Sequence, residues 1–202
     1  MGALRRFWPQ LAVAAIDIPI GLTARGPRAC DVAARRLLGR PRASSVFPAP
    51  IRPALSALTR AAASRITARL DGRGVGTQAW NLYARIREVD VALRTDARLR
   101  ALVYESHPEI SFRAIHDGRT ITSGKKTGSG RRQRERLVER HFGRGCVGRI
   151  RRLLPRAEVA TDDILDAFAV LWTAARIHAG IATALPAVPA CDPCGLPMRI
   201  VI

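Results

Sequence analysis

The sequence predicts an α/β protein, a mixed sheet with helices on its faces, and three observations predict it. Two short apolar, β-prone runs, at 11–17 and 101–105, each end on an acid with a loop signal just beyond. Longer segments at 78–94 and 162–180 place their apolar residues at helical spacing. The chain has 202 residues, 48% of them hydrophobic, which is enough for one domain, 1–202, with a sizeable core.

The elements follow in order. Residues 3–9 read as the tail of a helix packed on the first strand. In LAVAAIDIPIGL, 11–22, Pro19 and Gly21 close the strand, so Asp17 projects where a loop opens. CDVAARRLLG, 30–39, is a short helix stopped by Gly39 and Pro41. Residues 40–53 form a proline-rich loop whose length marks a functional or closely packed segment. An Ala-rich helix spans 54–70. The glycine-rich loop 71–78 is no phosphate loop, because no Lys-Ser or Lys-Thr follows its glycines. In the helix 78–94, Trp80, Tyr83, Ile86, Val89 and Leu93 share a core face. The strand 101–105 ends at Glu105, and a short helix follows near 108–115. Residues 117–130 are polar and read as a flexible loop. RRQRERLVERHFGRG, 131–145, is a basic helix whose charge continues through 148–156. The last strong helix, 162–180, opens on Asp162, Asp163 and Asp166, and 181–202 is a Pro-rich tail with a short terminal strand in LPMRIVI.

Charge points to a partner. Lys and Arg number 34 against 16 Asp and Glu, a formal charge of +18. Such a balance favours polyanions, nucleic acid first. Lys125, Lys126, Arg131, Arg132, Arg134, Arg136 and Arg140 are the candidate contacts; the competing reading is a solvated helix with Glu135 and Glu139 as intrahelical partners. The apolar runs fall short of the roughly 20 residues that span a bilayer, and the first residues make no signal peptide, so a cytoplasmic protein without a membrane partner is expected. Of four cysteines, only Cys191 and Cys194 form a C-x-x-C pair, and the prolines and glycine around them favour a surface turn with two reduced thiols over zinc or redox chemistry.

Acids are scarce against this background, and those at element ends form the candidate catalytic and metal-ligating set: Asp17, Glu105, Asp163 and Asp166. Sites that cleave phosphodiesters with two divalent ions need several carboxylates converging from rigid elements. Mg²⁺ or Mn²⁺ suits such oxygen donors. Each acid has a plainer role open to it: Asp163 as a helix cap, Asp17 bonded to its own turn, Glu105 paired with an Arg.

Six motifs then appear in order: IDIPIGL at 16–22, R-x-CD-x-x-AR-x-x-LG at 28–39, SSVFPAP at 44–50, the Q-x-W helix running into IREVD at 78–90, ESHPEISF at 105–112 and DDILDAFA at 162–169. With them, and the closing GLPMRIVI, the chain resembles the bacterial and archaeal family called domain of unknown function 429, described as predicted RNase H-like nucleases. The resemblance implies a five-stranded RNase H-like mixed sheet flanked by helices, with Asp17 ending the fourth core strand and Glu105 the fifth. It makes Asp163 and Asp166 similar to the paired acids of Holliday-junction resolvases, with His107 and Glu109 near enough to contribute. It also implies that the N-terminal strands are missing, and with them the first-strand aspartate: either the start codon is misplaced or the homologue is truncated and inactive. The uncovered sheet edge would then invite a homo-oligomer. The expected function is a metal-dependent nuclease or phosphodiesterase; the alternative is a non-catalytic nucleic-acid-binding module. A sugar-kinase or actin-like activity on the same fold is disfavoured by the chain's length and the lack of an opening phosphate loop.

Overall fold

A computed structural model describes residues 10–202. The helix expected over 3–9 lies outside them. The described part is mixed and helix-rich, with two small sheets rather than a five-stranded one.

Strand β1 (Ala14–Ile16) runs parallel to β2 (Val103–Glu105), with Ile16 opposite Glu105. The Ser106 amide donates to the Ile16 carbonyl (2.9 Å), so both strands end at the same level. This alignment brings Asp17 and Glu105 to one end of the pair. Parallel neighbours need a crossover, and here it contains α1 (Ala29–Leu38), a 3₁₀ turn (Arg42–Ser45), α2 (Arg52–Leu55), α3 (Arg60–Asp71), α4 (Thr77–Trp80), α5 (Tyr83–Thr95) and α6 (Ala97–Leu102). The expected helix at 54–70 is broken in two: Thr59 accepts from the Ala62 amide and starts α3, and Gly72, at φ 70°, ends it. The short α6 is a helix that the periodicity does not signal. Asp96 accepts from the Leu99 amide and starts it immediately before β2.

Helices cover the small sheet on both faces. On one, Val89, Ala92 and Leu93 of α5 and Leu99 of α6 pack on Ala14 and Val103. On the other, α10 (Thr161–His178) lies against β1 and against α7 (Pro108–Ile115). A second core joins α7, α8 (Gly128–Phe142), α9 (Cys146–Leu153) and α10 through Phe112, Val138, Val147 and Leu165. The outer edge of β1 carries no strand among the described residues; it borders a groove of about 470 Å³ facing Ala167, Val170 and Leu171 of α10. The tail forms a short antiparallel pair, β3 (Ala184–Leu185) with β4 (Ile200–Val201), which includes the terminal strand expected in LPMRIVI. Among the described residues, no helix is long and apolar enough to cross a membrane.

The segment expected to be a flexible loop at 117–130 is tied down at several points. Ile121 is buried, Thr120 donates to the Leu38 carbonyl (3.1 Å), and Arg42 donates to the Thr122 carbonyl (3.0 Å). Thr127 caps α8 by accepting from the Gly130 amide (3.1 Å). Gly130 sits so close to the returning loop that a Cβ there would lie 2.1 Å from the Gly124 carbonyl oxygen. The loop therefore holds Lys125 in a defined place.

Candidate functional site

A cavity of about 300 Å³ opens where β1 and β2 end. Its lining joins Asp17 just after β1, Glu105 at the end of β2, Ser106 and His107 after it, Asp166 on α10 and Lys125 on the loop before α8. The lining also has an apolar part, with Phe47, Pro48 and Pro50 of the proline-rich segment and Ala79, Leu82 and Ile86.

The acids at this cavity divide into two kinds. Glu105 is buried and fully engaged. Its carboxylate accepts from Arg28 at both oxygens (2.7 and 2.7 Å) and from the Ile20 amide (2.6 Å). Arg28, itself 2% exposed, also grips Asp31 (2.5 Å) and donates to the Ile20 carbonyl. Burial pushes the Glu105 carboxyl up, and the Arg28 charge with its hydrogen bonds pulls it back. Burial works to lower the Arg28 guanidinium, but Glu105 and Asp31 outweigh it and hold it well above its ordinary value. The two shifts point to opposite protonation states for the pair; the bidentate geometry supports the ionised one. Cys30, Asp31 and Glu105 do bring ligand atoms within 4.8 Å of one another, the one such trio among the described residues. A guanidinium already fills it, and burial pushes the Cys30 thiol up to about 12, away from the thiolate a metal needs. Glu105 is therefore placed as a structural anchor.

Asp17 and Asp166 are the other kind. Loss of solvent raises both carboxyls, and at Asp166 the negative charges of Asp17 and Glu109 raise it further. Asp17 keeps surface open to water, yet the cavity walls strip enough of its hydration to shift it. Lys125 lines the same cavity. Its Nζ donates to Asp166 Oδ2 (2.8 Å) and lies 3.9 Å from Asp162. Burial works against the ammonium, but Asp166, Asp162 and Asp17 hold it above its usual value. Lys125 is thus a fixed cation beside two strained carboxylates.

His107 completes this side. Its Nε2 donates to the Ser45 carbonyl (3.3 Å), which fixes the orientation of the ring. Nδ1 is buried without a partner. Arg42 repeats the pattern at the cavity rim, with its Nε buried and unpartnered while its terminal nitrogen holds Thr122.

The remaining expected site residues fall elsewhere. Asp163 is exposed, and its carboxylate accepts from the Ala160 amide (3.1 Å) as a helix cap; it lines the neighbouring groove. Arg134 points inward: at 1% exposure its Nη2 donates to both carboxylate oxygens of Glu109 (2.6 and 2.8 Å), over the Phe112 ring. That arrangement turns Arg134 away from the surface, while Glu109 lines the cavity. Arg131, Arg132, Arg136 and Lys126 are exposed, and Arg140 is exposed but donates to the Ile115 carbonyl (2.6 Å). Cys191 and Cys194 are free thiols in a turn organised by Asp192, whose carboxylate accepts from the Cys194 and Leu196 amides. Lys125 as a cavity cation and the Arg28 anchor are the features sequence reasoning missed. The C-D-x-x-A motif after Arg28 was visible, but not its partner 77 residues away.

A family model described as "Protein of unknown function (DUF429)" matches residues 1–190. The chain belongs to the DUF429 family. The match covers every charged residue of the cavity and ends before β4. No curated protein and no solved structure matches this DUF429 member.

Proposed function

We propose that this DUF429 protein is a metal-dependent phosphodiesterase of RNase H-like type. One observation carries the proposal: Asp17 and Asp166, from two different elements, line one cavity together with Lys125, which is bonded to Asp166 (2.8 Å). The residues fit a divalent ion. Both donors are hard carboxylate oxygens, their charges repel, and the Lys125 ammonium already stands where positive charge is needed. Asp17 and Asp166 would hold Mg²⁺ or Mn²⁺, which would supply Lewis acidity and a more acidic bound water. The protein's own groups supply the rest. Lys125, always charged, offers its ammonium to a phosphate oxygen rather than donating a proton. Glu105 takes no chemical part; with Arg28 it fixes the end of β2, next to which His107 sits. The parallel β1–β2 pair between helices is compatible with an RNase H-like core.

The test is hydrolysis of a small activated phosphodiester, and of single- and double-stranded DNA and RNA, with and without Mn²⁺. Metal-dependent turnover lost in Asp166→Asn and in Asp17→Asn supports the proposal. Turnover that survives both substitutions moves the active site elsewhere. A non-catalytic nucleic-acid-binding module is the second reading, favoured by the exposed Arg131, Arg132 and Arg136 of α8. It takes over if every substrate stays intact while binding falls steeply with salt.

A further inference from the structure

We propose that the cavity accepts one unpaired nucleotide unit, its base against Phe47 and its phosphate at Arg42 and Lys125; this rests on the phosphodiester reading above. The inference begins with size. About 300 Å³ is the lower end of what a small-molecule pocket holds, and a cavity that small admits one unit of a chain, not a duplex. Its walls differ in chemistry. Part of the lining is charged, with Asp17, Lys125 and Asp166, and part is apolar, with Phe47, Pro48 and Pro50. A nucleotide has that same division, an anionic phosphate at one end and a flat π-face at the other.

Two further observations point to such a ligand. Phe47 is left 44% exposed although it lines the cavity. An aromatic held open to water beside a polar cluster is the arrangement on which bases stack. The prolines that follow it, Pro48 and Pro50, limit the loss of freedom on binding. Arg42 also lines the cavity, and a guanidinium is a strong partner for a phosphate oxygen. The Arg42 hydrogen bond to the Thr122 carbonyl already orients the guanidinium. No comparable donor or aromatic lines the groove beside β1, which is why that groove is not the ligand site.

Equilibrium titration of the intact protein tests this without turnover, using 5′-AMP, inorganic phosphate, a blunt DNA duplex and the same duplex with a single-stranded overhang. 5′-AMP should bind about tenfold tighter than inorganic phosphate, the increment expected for one stacked base. Phe47→Ala should remove that increment and Phe47→Trp should keep it. The exposed position of Phe47 keeps both variants folded. If the overhang displaces 5′-AMP, the unit comes from a chain end; if it does not, the ligand is a free nucleotide. Either outcome supports the proposal. Equal affinity for 5′-AMP and phosphate, an unchanged 5′-AMP affinity in Phe47→Ala, or displacement by the blunt duplex as effective as by the overhang overturns it. Failure here leaves hydrolysis of small phosphodiesters untouched, and failure of the Asp166→Asn rate test leaves nucleotide binding untouched, so the two readings fall separately.

Discussion

Two clusters of charge stand side by side at the end of the β1–β2 pair, and they are built on opposite principles. Arg28, Asp31 and Glu105 are each nearly solvent-free and bonded at almost every polar atom. Asp17, Asp166 and Lys125 keep water, and their one cation comes from a loop. The first cluster matches a rigid planar fork to two carboxylates; the second uses a single ammonium on a flexible stem. Saturated charge at a strand end makes architecture. Charge met by a single ammonium leaves carboxylate oxygens open to water. Proximity to the cavity alone would not have separated Glu105 from Asp166; the partners do.

The sharpest way to break this contrast is to remove the fork. Arg28→Leu should cost about 3–5 kcal/mol, because it leaves two buried carboxylates uncompensated. Urea unfolding checks this, and a loss below about 1 kcal/mol would show that water reaches the anchor. Asp166→Asn should do the reverse. Its effect on stability stays within about 1 kcal/mol, since the Lys125 side chain is 40% exposed. Its effect on metal-dependent turnover should reach about 100-fold or more, because losing even an outer partner of a metal ligand costs about 10–100-fold. In the same series, Mn²⁺ at a hundred times its dissociation constant should stabilise the wild type by about 2.7 kcal/mol and leave the Asp17→Asn, Asp166→Asn double variant unchanged in a thermal melt.

Titration gives a smaller effect with a definite sign. Asp17 and Asp166 have carboxyls raised above 3.8, so the folded protein binds more protons than the unfolded chain in the window just above that value. Their contribution to stability therefore falls as pH rises through that window. Asp192 has the opposite sense: burial raises it, but the Leu22 and Leu196 amides and Arg52 pull it below 3.8, so its stabilisation is lost as pH falls through its depressed value. Stability against pH, wild type minus the double variant, should slope downward above pH 3.8; a flat difference would mean that Asp17 and Asp166 are as well solvated as in the unfolded chain. The least effect belongs to the surface of α8. Replacing Arg131, Arg132 and Arg136 with Ala should flatten the salt dependence of DNA binding, by about one logarithmic unit for each arginine that had held a phosphate. Arg134→Ala should instead reduce stability and leave the salt slope as it is in the wild type.

What could be read from the sequence was local. Asp17 was placed correctly because Pro19 and Gly21 end its strand within four residues, and α7 followed from a proline just after Glu105. The separation of the acids by partner was not readable, because Arg28 meets Glu105 across 77 residues and Lys125 meets Asp166 across 41. The loop 117–130 looked mobile because Gly, Ser and Thr usually signal freedom; here its glycines allow close backbone packing instead. Arg134 looked like its neighbours because a helix bearing charge on every side gives no apolar stripe from which to infer the buried face. The split at Thr59 and the helix before β2 were hidden for a related reason: a capping Thr or Asp within an Ala- or Leu-rich run does not disturb the periodicity on either side.

Gly130 carries a consequence out of proportion to its size. With the Gly124 carbonyl oxygen only 2.1 Å from where a Cβ would stand, even one methyl group would act as a wedge under the strap that bears Lys125. The ammonium would lift off its carboxylates, and two anions would face each other with no counter-charge. In a scan of variants, Gly130 would score like a residue of the cavity, although it contributes no atom to its lining. The electrical balance of the pocket is set, in effect, by a hydrogen atom on a neighbouring helix.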